Sequence, residues 1–401
     1  MIIGIVSDTH FGFSRFEEDA HEQGKRAILE AAKKCDLLLL PGDIFDVRVP
    51  KPETIAQVAQ ILVEAGKIMN CKACAKQVAI GSKPQSAEKE APAVLPPIVA
   101  IHGTHERRPR ELVNPIQLME AAGLLMDAHN KTLVFEKGGE KAAISGIGGV
   151  PDDLAKAALE NMQCAPLQGA FNVFMLHQSF SEFIPSGEEM LSLEDLPAGY
   201  DLHVCGHLHK RSFLKNNSII IPGSTVVTQL REEEQEEKGF VLYDTEKKEA
   251  QFVPIGSRKF ILRKITVENA DAHAIKGAIE AELNAIGAPV SNAPGSPIIK
   301  IKISGTLSNG LSPSDLRAGA YGKNVFIETA FSSGDLKEKL QSIRSRHDEK
   351  LSASEYGLKL LRERLNDAKI AHFADEETFM LLQEDAEEFV KRIKEQRMRS
   401  I

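Results

Sequence analysis

Tryptophan is absent from the 401 residues, and cysteine occurs only five times. The five are odd in number and irregularly spaced, which suits a reducing cytoplasm better than a disulfide framework. No run approaches the roughly 20 apolar residues of a membrane span, so no membrane association is expected. The opening MIIGIVSD has no basic leader and does not read as a secretion signal. Basic residues are outnumbered, 49 Lys and Arg against 57 Asp and Glu, giving a net charge of -8. A wholly basic nucleic-acid coat is thereby excluded, while a local basic groove is not. There is no internal repeat.

What the chain does have is a series of short apolar runs: Ile2–Val6, Leu37–Leu40, Ile98–Ile101, Ala142–Ile147, Val173–Leu176, Leu202–Cys205, Ile219–Ile221 and Phe240–Tyr243. Each is too short for a helix, and most stop at Gly, Pro, Asp or His, which predicts buried strands. Helical patterns at Lys25–Lys34, Pro52–Ile68 and Pro115–Ala122 fall between them. The expectation is an α/β fold of two packed sheets with helices outside. Residues 69–97, rich in Ala, Lys, Ser and Pro, read as an inserted long loop. Composition shifts near Gly256, and Phe260–Val267 and Ile298–Ile303 read as strands flanking a helix at Ala272–Ile286. The expected parts are therefore 1–255, a smaller α+β region at 256–332, and charged amphipathic helices over 333–401.

Five polar clusters punctuate the predicted strands: Asp8-Thr9-His10, Gly42-Asp43, Gly103-Thr104-His105-Glu106, His177, and Gly206-His207-Leu208-His209. Strand ends in a layered α/β fold face a common edge, so these clusters can converge. Carboxylate oxygens combined with imidazole nitrogens suit Mn²⁺, Fe or Zn²⁺ better than Mg²⁺ or Ca²⁺.

The order DTH, GDIFD, GTHE, a lone strand-end His and GHLH resembles the calcineurin-type metallophosphoesterases. GDIFDVRVPKPETI, HGTHERR, LHQSF, GHLHKR and IPGSTVVTQLREEEQEEKGF narrow the resemblance to their double-strand-break repair nucleases of the SbcD type, over about residues 1–255. It implies a four-layer α-β-β-α sandwich with a capping domain and C-terminal helices. It also implies two divalent ions, Mn²⁺ foremost, with Fe or Zn²⁺ as alternatives. Asp8, His10 and His209 would hold one ion, Asp43 would bridge both, and His177 and His207 would hold the second. His105 would act on the phosphate as the catalytic group. DNA would be the substrate, and an SMC-like coiled-coil ATPase would dock on the C-terminal helices of a homodimer.

Two positions depart from the family pattern. Thr104 stands where Asn is usual, and a neutral hydroxyl is a weaker donor than an amide oxygen. Asp46 stands where many members carry His, with a structural turn carboxylate as the plain reading. Glu106 reads either as an orienter of imidazoles or as a solvated residue. Arg107, Arg108, Arg110, Lys210 and Arg211 are candidate phosphate contacts without sequence readout, and Arg258, Lys259, Arg263 and Lys264 open the second region. Cys71 and Cys74 form a lone CxxC, half of a zinc site at most within one chain. Two other functions stay open: a phosphodiesterase for small nucleotides or other diesters, and a weakly catalytic DNA-end binding scaffold.

Overall fold

A computed structural model describes residues 1–70, 76–80, 95–109, 111–184, 190–287, 295–308 and 321–331. The expectations for Cys71, Cys74, Arg110 and 333–401 lie outside the described residues.

Burial with a period of two sets the architecture. Ile3, Ile5, Leu37 and Leu39 enter one core, whereas Val6, Leu38 and Leu40 enter another. A strand buried on both faces reads as a continuous apolar run and needs a layer on each side. Strands β1 (Ile2–Ile5), β2 (Leu37–Pro41), β4 (Ile98–Ile101), β5 (Met126–Asp127), β12 (Gly239–Asp244) and β13 (Glu249–Pro254) form one sheet, in the order β13-β12-β1-β2-β4-β5. Strands β3 (Lys76–Ile80), β6 (Thr132–Lys137), β7 (Glu140–Ile147), β8 (Phe171–His177), β9 (Leu202–Gly206), β10 (Ser212–Leu214) and β11 (Ile219–Ile221) form a second, in the order β10-β11-β9-β8-β7-β6-β3. The inner faces meet in a core containing Ile3, Leu39, Ile101, Phe135, Ile144, Met175 and Val204. Truncating such a side chain to Ala typically costs 2–5 kcal/mol.

Helices complete the four layers. Those on the first sheet are α1 (Glu17–Lys34), α2 (Pro52–Asn70) and α3 (Pro115–Ala121), while α4 (Ala155–Glu160) packs on the second. Helix α1 starts at Glu17, eight residues before the expected Lys25. Its first turn, Glu17-Glu18-Asp19, is polar but suits the positive end of the helix dipole. Gly24 interrupts the pattern because the Phe11 ring occupies the space of a Cβ, 2.7 Å away. The expected loop at 69–97 is also corrected in part. The end of α2 occupies its start, and β3 pairs antiparallel with β6 as the edge of the second sheet.

Beyond Ile255, β14 (Phe260–Ala270), β15 (Ile298–Leu307) and β16 (Val325–Phe331) run parallel. Helix α5 (Ala272–Ile286) lays Ile275, Ile279 and Leu283 on Ile299, Ile301 and Ile303. The Asp271 carboxylate caps α5 by accepting from the Ala274 amide. Phe16, Val227 and Leu230 meet Phe260 and Ile298 where this part joins the sandwich. Arg258 closes the joint, bonding Asp19 at 2.7 Å and lying over the Phe16 ring. No helix among the described residues is long and apolar enough to cross a membrane.

Candidate metal centre

Strands β1, β2 and β4 are mutually parallel, as are β7, β8 and β9. Their carboxyl ends converge where the two sheets face each other. Hydrogen bonds tie the sheets there, among them the His207 amide donating to Asp8 and Nδ1 of His177 donating to the Pro41 carbonyl. Asp8, His10, Asp43 and His207 all have positive φ, at 51°, 47°, 47° and 80°. Such backbone costs of order 1–3 kcal/mol per residue and persists where the surroundings enforce it. Gly103 is one enforcing contact, since a Cβ there would stand 2.1 Å from Asp43 Oδ1.

The expected residues gather in groups. Asp8, His10 and His209 share one, Asp43, His177 and His207 a second, and His10, Asp43 and His105 a third that straddles them. The hydrogen bonds show what the inward atoms lack. Nδ1 of His10 donates to Asp46 at 3.1 Å, and Nδ1 of His209 faces Glu234 at 3.1 Å and Thr228 Oγ1 at 2.8 Å. A neutral imidazole with Nδ1 protonated has a bare lone pair on Nε2. The two Nε2 atoms therefore confront each other across 3.2 Å, and Asp8 lies 4.0 and 3.8 Å from them. His177 repeats the pattern. Its Nδ1 proton goes to Pro41, leaving Nε2 buried, without a hydrogen-bond partner, and 3.1 Å from an Asp43 oxygen. Acceptors facing acceptors call for a cation between them, either a proton or a metal ion, and this donor set fits divalent metal.

The protonation states of these side chains follow from their neighbours. Burial opposes charging His177, yet the adjacent Asp43 carboxylate raises its pKa to about 9. Asp43 is held below the usual carboxylate range, against its own burial, chiefly by His177. Burial and the His177 charge bring His207 down to about 4. Thr104 Oγ1 lies 3.3 Å from Asp43 and 3.5 Å from His207 Nδ1, so the hydroxyl reaches the second group. His105 is 45% exposed at the mouth, its Nδ1 donating to the Asp46 carbonyl.

Several side chains have roles the sequence did not disclose. Glu106 is fully buried and neither solvated nor bonded to an imidazole. Its two oxygens accept from the Phe45 and Gly103 amides, clamping the loops that carry Asp43 and Thr104 together. Burial and the Asp43 charge push its pKa up to about 8. The Asp46 carboxylate holds the His10 ring, and its backbone amide donates to the Phe11 carbonyl. Glu234, Thr228 and Lys238 were missed. Glu234 and Lys238 are 3% and 4% exposed and pair at 3.2 Å behind His209. In the run REEEQEEK nothing separates these two buried charges from solvated neighbours, and only the quoted family segment marks them.

The basic candidates divide. Arg107 lies beside Thr104 and His207, and Lys210 beside His209, each lining a cleft at the site. Arg108 instead bonds the Val113 carbonyl, and Arg211 stacks 3.5 Å over the Phe252 ring, so both are engaged in the fold. In the second region, Arg258 closes the joint, while Arg263 and Lys264 pair with Glu282 and Glu232.

Residues 1–211 match the calcineurin-like phosphoesterase family, and the chain belongs to it. Within that family the similarity is to double-strand-break repair proteins. The chain is 25% identical over 297 residues to the repair protein MRE11 of Encephalitozoon cuniculi, covering 68% of this chain and 50% of the relative. To mre-11 of Caenorhabditis elegans it is 24% identical, covering 66% and 40%. To the archaeal Mre11 of Sulfolobus acidocaldarius it is 24% identical, covering 75% and 74%. The chain thus spans about half the length, or less, of the eukaryotic relatives and three quarters of the archaeal one.

Proposed function

We propose that this chain is a two-metal-dependent nuclease that hydrolyses DNA phosphodiester bonds in double-strand-break repair. One observation supports the reading most. Asp43 stands beside histidine groups in which Nε2 of His10, His209 and His177 points inward at another ring nitrogen or a carboxylate. Asp8, His10 and His209 would hold one ion, Asp43 both, and His177 and His207 the other, with the Thr104 hydroxyl beside it. Two divalent ions, for which Mn²⁺ suits this donor set, would supply Lewis-acid chemistry there, activating water and offsetting negative charge on the phosphate.

The protein's own groups do the rest. Asp46 and Glu234 hold the His10 and His209 rings with Nε2 inward. His105, anchored through Nδ1, presents Nε2 at the open mouth, where it can give a proton to the departing oxygen as the P–O bond breaks. Arg107 and Lys210 take the phosphates on either side. By analogy with the repair proteins it resembles, the chain would act as a homodimer with an SMC-like ATPase bound through 333–401, and residues 256–332 would help grip DNA. The test is purified protein with Mn²⁺ on end-labelled single- and double-stranded DNA, beside an aryl phosphodiester and an Asp43→Ala control. Metal-dependent cutting of DNA that the control lacks supports the reading. Hydrolysis of the aryl diester alone would instead mark a small-diester phosphodiesterase. Truncation before Asp335 should spare aryl-diester hydrolysis and remove ATPase binding; an insoluble product would place those helices in the core.

A further inference from the structure

The loop 226–231 serves two sides at once. Val227 and Leu230 are buried at the joint with the second region, against Phe260 and Ile298, with Leu262 packed beside them. The residues between them bond toward the metal centre. The Gln229 amide donates to Glu234 at 3.2 Å, and Thr228 Oγ1 lies 3.1 Å from the same carboxylate oxygen and 2.8 Å from Nδ1 of His209. Leu230 has a positive φ of 52°, a backbone that a bulky side chain keeps only where its surroundings enforce it. The 3₁₀ turn that follows, Glu232–Gln235, is shared in the same way. Glu234 orients His209 from inside, while Gln235 Oε1 accepts from the Leu262 amide at 2.9 Å and Glu232 pairs with Lys264 at 2.5 Å.

The His10 side is built likewise. The Phe13 amide donates to the His10 carbonyl at 3.0 Å, closing a turn, and the Phe13 ring packs on Phe16 at the joint. Phe16 in turn meets Phe326 of β16 edge-on, with 6.0 Å between ring centroids. Asp43, His177 and Thr104 are braced from within the sandwich instead. Asp43 accepts from the His105 amide, His177 donates to the Pro41 carbonyl, and Glu106 clamps the loops of Asp43 and Thr104. Contiguous packing and hydrogen bonds are what carry a displacement between distant groups, and here they run from β14 and β16 to two imidazoles. Resting on the metal-centre reading above, we infer that the second region is a working part of one half of that centre. Phe260, Leu262 and Gln235 are positioning residues. Through the loop 226–231 and the turn 232–235 they set where Nε2 of His209 stands, and the same joint sets His10 through Phe16 and Phe13. The ion held by Asp8, His10 and His209 therefore depends on how the second region is seated, and the ion held by His177 and His207 does not. A load that shifts β14 on the sandwich loosens one ion and leaves its neighbour in place.

The experiment titrates the metal-free full chain with Mn²⁺ by calorimetry, which reads the two ions as separate binding steps without any turnover. Gln235→Ala combined with Lys264→Ala removes both bonds from β14 to the turn, at exposed positions where folding is little affected. It should weaken one ion by about 3- to 10-fold and leave the other unchanged. Gln235→Glu in place of Gln235→Ala keeps the oxygen that accepts from Leu262 and should recover most of the loss. Phe260→Ala, which empties the joint, should weaken the same ion by about 10- to 100-fold, the range for losing a partner that orients a ligating ring. Ile301→Ala, in the core between β15 and α5, disturbs the second region away from the joint and should leave both affinities as they are. In His209→Ala protein the substitutions at 235 and 264 should change the remaining ion no further. Equal weakening of both ions overturns the inference, as does an Ile301→Ala protein that reproduces the Phe260→Ala pattern. If Phe260→Ala does not fold, the double variant decides alone, and unchanged affinities in it overturn the inference. If the unmodified chain binds fewer than two Mn²⁺ ions, the two-metal reading falls and takes this one with it. If it binds two ions that these variants leave alone, only this inference falls.

Discussion

Glu234 Oε1 lies 3.1 Å from Nδ1 of His209, while its other oxygen lies 3.2 Å from the Lys238 ammonium. One buried carboxylate thus orients an inward-facing histidine and neutralises a buried lysine. Burial opposes its ionisation, yet the His209 bond and the Lys238 charge hold its pKa down to about 2. Glu234→Gln should lower affinity for one of two bound ions by about 10- to 100-fold, the usual effect of losing a ring-orienting partner. Leaving Lys238 uncompensated should also destabilise the fold by about 3–5 kcal/mol. Metal titration by calorimetry and a thermal melt check both. Unchanged affinity with a lowered melting temperature would mean that Glu234 serves Lys238 alone.

His177 predicts a proton count. In the metal-free protein its pKa is raised to about 9, so the ring is protonated at neutral pH. A metal takes the lone pair, and the proton must leave. Affinity for the ion that His177 holds should therefore rise with pH, about tenfold per unit, and level off above pH 9. Calorimetry at pH 7 in two buffers of different ionisation enthalpy should report about one proton released. Zero release would remove His177 from the ligand set.

His105→Ala should keep both ions and lose hydrolysis. Its ring is at the exposed mouth, anchored to a backbone carbonyl, whereas the other histidines face inward. General acid catalysis contributes about 10²–10⁴-fold, which sets the expected fall in kcat. Metal content after dialysis should match the unmodified protein. A marked loss of metal would make His105 a ligand in the straddling group with His10 and Asp43.

Thr104→Asn should tighten the second ion. The Thr104 hydroxyl already lies 3.3 Å from Asp43 and 3.5 Å from His207, so a longer side chain with a stronger oxygen donor starts from the right place. Activity at low Mn²⁺ should rise. A titration with unchanged or weaker Mn²⁺ dependence would show that the local shell is adapted to Thr.

The layered core was legible because β1, β2, β4, β8 and β9 are buried on both faces, and such strands are apolar without interruption. The site was legible because its residues terminate those strands. The charged half of the structure was not. The exposed strand β13, Glu249–Pro254, mixes polar and apolar residues and carries no apolar run beyond Phe252-Val253. Helix α1 hides its start in acidic residues, with a Gly24 explained only by Phe11 from another segment. Glu106, Glu234 and Lys238 are charged residues whose burial depends on partners far along the chain. Burial of that kind leaves no local signature.

Strand β1 lies between β2 and β12, and β12 ends at Asp244. During synthesis β1 is thus an edge strand until about 240 residues have been made. His10 and His209 are separated by 199 positions. At about 5–20 residues per second, roughly 10–40 s pass between their emergence. For that interval Asp8, His10 and Asp43 exist as a half-built site beside an unpaired sheet edge. Metal cannot be captured in its final arrangement before the second sheet docks. Metal binding in that arrangement therefore waits for the second sheet, and a ribosome stalled before His209 would carry a chain with no closed centre.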